Sequence, residues 1–207
     1  MIARYLPLAA VLATAALVFL WRPWLQRRRY GQSGILLFRS AHRAQYLRDA
    51  LVVLLFVLLL AQALAAAFAP ASLPLAQADR RAAALVRHEA GIALVIVGLA
   101  LLVTAQLQLG ASWRIGIDEA ARPGLVTSGI YARSRNPIFL ALLLIVAGYM
   151  LLIPTFLSAL LLAGLYIGAR LQIRAEEAYL LRAYGDHYRT YASRVGRLVP
   201  GIGKWQP

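Results

Sequence analysis

From Ala50 to Ala69 the chain is apolar with one interruption, Gln62. A stretch of that length suits hydrocarbon, since a crossing helix needs about 17–25 mostly apolar residues. Tyr5–Trp21 and Ala90–Leu109 are two more such stretches. Tyr5–Trp21 lacks a polar c-region, and Leu-Val-Phe-Leu-Trp follows its only Ala-Thr-Ala, so it reads as a retained span rather than a cleaved signal. Ile138–Ala169 is too long for one crossing, and Pro154 divides it. A proline inside a helical pattern ends or kinks the helix at about that point. The expected arrangement is a tight hairpin of two short arms, Pro137–Leu152 and Pro154–Arg170. The expected fold is therefore all-α: a polytopic membrane protein of about five helices with a C-terminal helical tail.

Composition agrees. Apolar residues make up 61% of the chain and charged residues 14%, against about 45–50% and about 25% in soluble domains. A water-soluble globule and a disordered chain are both excluded. The absence of cysteine removes disulfides, thiolate metal sites and cysteine nucleophiles. The net charge of +14 comes almost wholly from arginine, and Lys204 is the one lysine. If the helices alternate, eighteen of the 22 basic residues fall in three segments on one side, and four (Arg4, Arg80, Arg81 and Arg87) on the other. The positive-inside rule then puts the N-terminus outside and the C-terminus in the cytoplasm. In a membrane chain this basicity serves loops and phospholipid headgroups rather than nucleic acid. The arginine- and alanine-rich usage suggests a GC-rich bacterial source and an inner membrane. Ala61–Ala83, with Pro70 and Pro74, reads as a short external loop.

Two segments carry organised polar residues. The first is Leu125-Val-Thr-Ser-Gly-Ile-Tyr-Ala-Arg-Ser-Arg-Asn-Pro-Ile-Phe139. Pro123-Gly124 and Ser128-Gly129 mark turns, and Asn136-Pro137 reads as a helix start with Asn136 as cap. A helix N-terminus next to Arg135 suits an anion; Arg133 and Arg135 snorkelling to headgroups is the plainer account. The second is Arg170–Pro200. Arg170, Arg174, Glu177, Leu181, Tyr184, Tyr188 and Tyr191 recur at steps of four and three, one helical stripe. Glu176 points about 100° away from Glu177, so the two cannot serve one pocket equally. Asp186 is placed to cap a second short helix after Gly185. An interfacial amphipathic helix would explain the stripe, yet carboxylates next to hydrocarbon are costly unless paired or functional. Gln106 and Gln108 suit hydrogen bonds between helices. His42, His88 and His187 lack ligand spacing, so no metal is expected. Rossmann, P-loop and serine-hydrolase signatures are absent.

Together the two segments resemble the isoprenylcysteine carboxyl methyltransferase and phospholipid methyltransferase superfamily. The pattern is Gly129-x-Tyr131 through Arg135-Asn-Pro137, then Glu176-Glu177, Tyr184-Gly185, Tyr188, Tyr191 and a final Pro200; Leu109-Gly-x-x-Trp113 precedes it. Asn136 stands where many members have His, Phe139 replaces the usual Tyr, and Leu140-Ala141 replaces a common glycine. The resemblance implies an integral-membrane enzyme that uses S-adenosylmethionine, with a lipophilic acceptor entering from the bilayer. It places Leu125, Val126, Gly129, Tyr131, Arg135, Asn136 and Pro137 on one wall of the cofactor site. Glu176, Glu177, Tyr184 and Tyr188 form the other, Tyr191 closes the tail, and Glu177, Glu176 and Arg174 are the catalytic candidates. Residues 110–207 would form the cofactor region and residues 1–109 the substrate side, where the basic loop 22–49 guides an amphiphile. Carboxyl O-methylation is the leading expectation and phospholipid N-methylation its rival. A nicotinamide-dependent membrane reductase and a non-enzymatic lipid-binding protein are the readings from other classes.

Overall fold

A computed structural model describes residues 2–39, 43–73, 81–116 and 124–205. Expectations that touch His42, Pro74, Arg80, Arg122 and Pro123 lie outside those residues. Among the described residues seven α-helices follow one another: α1 Leu6–Ala15, α2 Arg22–Tyr30, α3 Arg43–Phe68, α4 Arg81–Leu109, α5 Pro137–Leu152, α6 Phe156–Tyr184 and α7 Asp186–Arg194. Among the described residues extended pairing is limited to two isolated parallel bridges, Ile35 with Ile115 and Ser134 with Gly196. Four helical stretches are long and apolar enough to cross a membrane: Ala3–Tyr30, Arg43–Phe68, Ala82–Ser112 and Phe156–Tyr184. The shorter apolar α5 makes the fifth element of a polytopic bundle.

The boundaries differ from the expected ones at several places. The first span runs on through Pro23 to Tyr30 instead of ending at Trp21. Residues Ala16–Trp21 wind as a π-helix before α2. That local change of register lets proline enter at the second residue of α2, where its missing N–H does no harm. The last arm starts at Phe156, not Pro154. Thr155 caps it by accepting the Ser158 N–H at 3.0 Å. It does not end at Arg170 but continues to Tyr184, because no proline interrupts it, and Gly164 and Gly168 cost only propensity inside a packed helix. The other hairpin arm, α5, has the expected bounds. Most of Ala61–Phe68 belongs to α3 rather than to a loop.

Close packing of α4 on α5 forms the centre. Gly91 and Gly98 of α4 meet Gly148, Ala141 and Ile145 of α5. A methyl group on Gly148 would lie 2.6 Å from the Gly91 carbonyl oxygen and 2.9 Å from a Val95 methyl. Small residues let membrane helices approach this closely, and van der Waals contact then holds them. Leu102, Ala141 and Ile145 form one buried cluster; Val11, Ala63, Ala66, Tyr149 and Ile153 form another.

A buried polar group clips the hairpin turn to α3. Gln62 donates to Thr155 Oγ1 at 2.6 Å, and Tyr149 donates to Gln62 Oε1 at 3.1 Å. Ser158 donates to the Ile153 carbonyl at 2.6 Å. At the opposite end the basic segments gather. Arg22 Nε reaches the Gln106 carbonyl at 3.2 Å, and Gln26 reaches that of Ala111 at 3.0 Å. Arg48 on α3 meets Gln172 on α6 at 3.0 Å. The helices therefore alternate as the arginine distribution requires.

Gly148→Ala is expected to force α4 and α5 apart and to destabilise the bundle by about 1–3 kcal/mol. Thermal unfolding of the detergent-purified protein reads this as a lowered Tm; an unchanged Tm would mean that the α4–α5 contact gives way freely.

Candidate active site at the basic end of the bundle

The segment from Leu125 to Asn136 is extended at first, then tightens. Gly129 has φ +61°, a left-handed value that favours glycine, and a Cβ there would collide with Gln108 Oε1. Gln108 uses that oxygen to accept the Ile130 N–H at 2.6 Å, tying the segment to α4. A 3₁₀ turn, Gly129–Ala132, follows. It buries Tyr131, whose hydroxyl donates to the Ala105 carbonyl at 3.3 Å. Asn136 occupies the cap position of α5 with Pro137 next, but its side chain does not cap. Asn136 Nδ2 donates instead to the Arg197 carbonyl at 3.0 Å.

Behind this segment lies a buried ionic knot. Glu177 on α6 is 4% exposed and is held by two guanidiniums. Arg135 Nη2 reaches its Oε1 at 2.8 Å, and Arg197 Nη2 its Oε2 at 2.8 Å. Both arginine Nε atoms add bonds of 3.1 to 3.2 Å. Arg135 spends its remaining N–H groups on tail carbonyls: Ala192 at 2.6 Å, Val195 at 3.2 Å and Gly203 at 3.1 Å. All five of its donors thus have acceptors within the chain. The Arg135 N–H also donates to the Gly196 carbonyl at 3.0 Å. The turn after α7 is thereby bound to the start of α5.

In front of the knot an open groove of about 820 Å³ separates Leu125, Thr127 and Ala132 from α7. Its other wall is Tyr184, Asp186, His187, Thr190, Tyr191, Arg194 and Val195. Positions 187, 190, 191 and 194 share one face of α7, while Tyr188 and Ala192 are buried on the other. Tyr191 donates its hydroxyl to the Tyr131 carbonyl at 2.7 Å, and burial pushes that hydroxyl's pKa up to about 12. It therefore stays a protonated donor at neutral pH, pinning α7 to the 129–132 turn. The Tyr188 and Tyr191 rings meet edge to face, with centroids 6.1 Å apart. Asp186 does not cap α7: Gly185 holds the cap position, and Asp186, on the helix's first residue, pairs with Arg189 at 3.0 Å in solvent.

The two neighbouring glutamates part company. Glu177 faces the knot. Glu176 is half-buried, and its one hydrogen bond among the described residues comes from Gln172, at 2.9 Å. The charges of Arg114 and Arg48 reach it, and Tyr131 lies within its field. Arg174 is exposed on α6.

Of the residues singled out by sequence, Leu125, Tyr184 and Tyr191 line the groove. Arg135, Asn136 and Glu177 lie in or beside the knot, and Gly129, Tyr131, Pro137 and Tyr188 shape the walls. Glu176 stands in the Arg48–Arg114 cluster. Val126 is half-buried beside Leu125. Sequence reasoning missed Arg197 as a partner of Glu177, and Thr127, His187, Thr190 and Arg194 as lining. Spacing along α7, taken separately from α6, would have exposed the 187-190-191-194 face. Among the described residues no three of His, Asp and Glu gather as a metal site.

Comparison with known proteins gives three likenesses. A profile of the family described as phospholipid methyltransferase matches residues 86–187. The protein-S-isoprenylcysteine O-methyltransferase of Schizosaccharomyces pombe is 37% identical over 79 residues. That match covers 38% of this chain and 34% of the yeast protein. A eukaryotic intramembrane Ras methyltransferase, isoprenylcysteine carboxyl methyltransferase, superposes with a TM-score of 0.56 over 97% of this chain and 64% of its own. Its sequence identity is 20%, so that likeness concerns the fold.

Removing a buried carboxylate that two guanidiniums share typically costs about 3–5 kcal/mol. Glu177→Ala is expected to lower the Tm accordingly and to expose residues 195–205 to limited proteolysis. A variant as stable and as protease-resistant as the wild type would show that the tail is anchored elsewhere.

Proposed function

We propose, from its likeness to the phospholipid methyltransferase family and to isoprenylcysteine carboxyl methyltransferases, that the chain is a member of that superfamily and a multi-pass membrane methyltransferase using S-adenosylmethionine. The acceptor in this reading is a lipophilic molecule with a carboxylate, and the basic end of the bundle faces the cytoplasm. One observation carries the proposal: the segment 125–136, α6 and α7 converge around a single groove and are locked there by the Arg135–Glu177–Arg197 knot.

The groove's residues fit the cofactor's chemistry. Its volume, about 820 Å³, lies within the range of about 300–1,000 Å³ usual for small-molecule sites. Tyr184, His187 and Tyr191 offer flat faces for an adenine ring. Arg194 and Asp186 offer opposite charges for an amino-acid carboxylate and ammonium. Bound there, the cofactor would supply a methyl group on a sulfonium. Arg135 and Glu177 are saturated by one another and by the tail, so we assign them to holding the wall rather than touching the ligand.

The chain's own contribution is alignment and exclusion of water, the main tasks in a methyl displacement. Tyr191 and Tyr131 hold α7 against the 129–132 turn, keeping the groove narrow. Arg114 presents a cation near Glu176, suited to a carboxylate-bearing acceptor. The apolar Ile35-Leu-Leu-Phe38 turn stands at the same end and suits the acceptor's hydrocarbon part. A carboxylate nucleophile needs no general base. Amine acceptors, which the phospholipid methyltransferase profile favours as a second reading, need one, and Glu176 is then the candidate.

Transfer of labelled methyl from S-adenosylmethionine to an N-acylated isoprenylcysteine and to an aminophospholipid separates the two readings. Label in a base-labile methyl ester is expected; label in neither acceptor would count against the proposal. Glu176→Gln is expected to slow ester formation about tenfold, whereas loss of a general base for an amine would cost about 10²–10⁴-fold. Arg194→Ala is expected to weaken binding of S-adenosylmethionine about tenfold without a change in Tm, a typical loss for one charge-assisted contact.

A further inference from the structure

A second polar system, apart from the knot, leads to Glu176 from the other side of the bundle. Phe38 has φ +59°, a left-handed value that a bulky side chain rarely adopts. Its N–H donates to Asp49 Oδ2 at 2.8 Å, so a carboxylate on α3 holds the turn in that conformation. Asp49 is 3% exposed, and its Oδ1 accepts from Gln45 Nε2 at 2.7 Å. Gln45 Oε1 accepts from Arg48 Nη2 at 2.6 Å. Arg48 Nε donates to Gln172 Oε1 on α6 at 3.0 Å. Gln172 Nε2 donates to Glu176 Oε1 at 2.9 Å.

Every link in this chain has a fixed direction. Arg48 has only donors, and the ionised carboxylates of Asp49 and Glu176 only acceptors, so the amides of Gln45 and Gln172 each turn their oxygen to Arg48 and their nitrogen to a carboxylate. Among the described residues, two helix-face pairs, Gln45 with Asp49 on α3 and Gln172 with Glu176 on α6, are joined by hydrogen bonds through the Arg48 fork. Resting on the reading of Glu176 given above, we propose that Arg48 is a positioning residue: it sets the orientation of Gln172, and thereby of the Glu176 carboxylate, and ties that carboxylate to the Phe38 turn. The turn's far side faces outward. Phe38 is 44% exposed and Tyr46 54%, and their rings meet edge to face with centroids 5.1 Å apart. An apolar chain that displaces this aromatic pair would therefore pull on the same relay that orients Glu176.

A fork cannot be replaced by a point charge, because lysine cannot hold two amide oxygens in fixed directions at once. This separates positioning from mere charge. Difference infrared spectra between the wild type and Glu176→Gln, recorded without any added cofactor, isolate the Glu176 carboxylate bands. Arg48→Met, Arg48→Lys and Gln172→Leu are each expected to shift those bands, while Arg27→Met, an exposed arginine on α2, leaves them in place. Unshifted bands in Arg48→Met and Gln172→Leu would overturn the proposal. Wild-type bands in Arg48→Lys would overturn it too, since charge alone would then suffice.

Kinetics supply the second readout. Arg48→Met is expected to lower kcat for ester formation about as much as Glu176→Gln, about tenfold, with the KM for S-adenosylmethionine unchanged. The double variant is expected to lose no more than either single one, because both remove the same group from its place. Multiplied losses would contradict this. Absence of methyl transfer in the wild type would sink the functional reading alone, and the infrared spectra would still decide whether Arg48 positions Glu176.

Discussion

One buried carboxylate organises the functional end of this protein. Taking Glu177 out of water is costly, by several kcal/mol per ion even after relaxation. Two guanidiniums from opposite directions offset that cost. One, Arg135, precedes the hairpin, and the other, Arg197, follows α7. Because Arg135 also binds three carbonyls of α7 and the tail, the carboxylate fixes the start of α5, the C-terminal part of α6 and the chain after α7 together. The groove exists because these three elements cannot drift apart. Its walls then need only local detail: a left-handed glycine at 129, a buried Tyr131, and the Tyr191 hydroxyl bridging to it.

The knot rests in turn on the bundle. The glycine-lined crossing of α4 and α5 sets the spacing of the hairpin against the rest. The Gln62–Thr155–Tyr149 group pins the hairpin turn at the far end, where an unpaired amide would be expensive. α6 then acts as a single rigid rod from the hairpin turn to Tyr184. Glu176 and Glu177 are carried out of the apolar region on that rod and presented to two different neighbourhoods. One glutamate is locked between two guanidiniums; the other accepts a hydrogen bond from Gln172.

Much of this was legible in the sequence. Hydropathy located the apolar segments, Pro137 began the hairpin and Pro154 marked its turn, and alternating helices gathered most of the arginines at one end. The two organised segments did come together, and the 100° separation of Glu176 from Glu177 did send them to different surroundings. What sequence hid were long-range partnerships. Nothing local marks Arg197 among so many arginines as the second partner of Glu177, or Arg48 as the link from α3 to Gln172. Asn136 was expected to cap α5, but a tail carbonyl competes for its amide. The first span was expected to stop at Trp21, but a π-helical stretch carries it on through Pro23. The break at Gly185 was expected, but reading residues 170–191 as one stripe concealed the separate face that α7 turns to the groove.

The central claim is that the groove held by the knot is a site for S-adenosylmethionine. Calorimetric titration of the folded, detergent-purified protein with S-adenosylmethionine and S-adenosylhomocysteine tests it most directly, with a nicotinamide dinucleotide as control. Saturable binding of both sulfur compounds, and none of the dinucleotide, is the expected result. Absence of binding by protein shown to be folded, or binding of the dinucleotide in their place, would contradict the account.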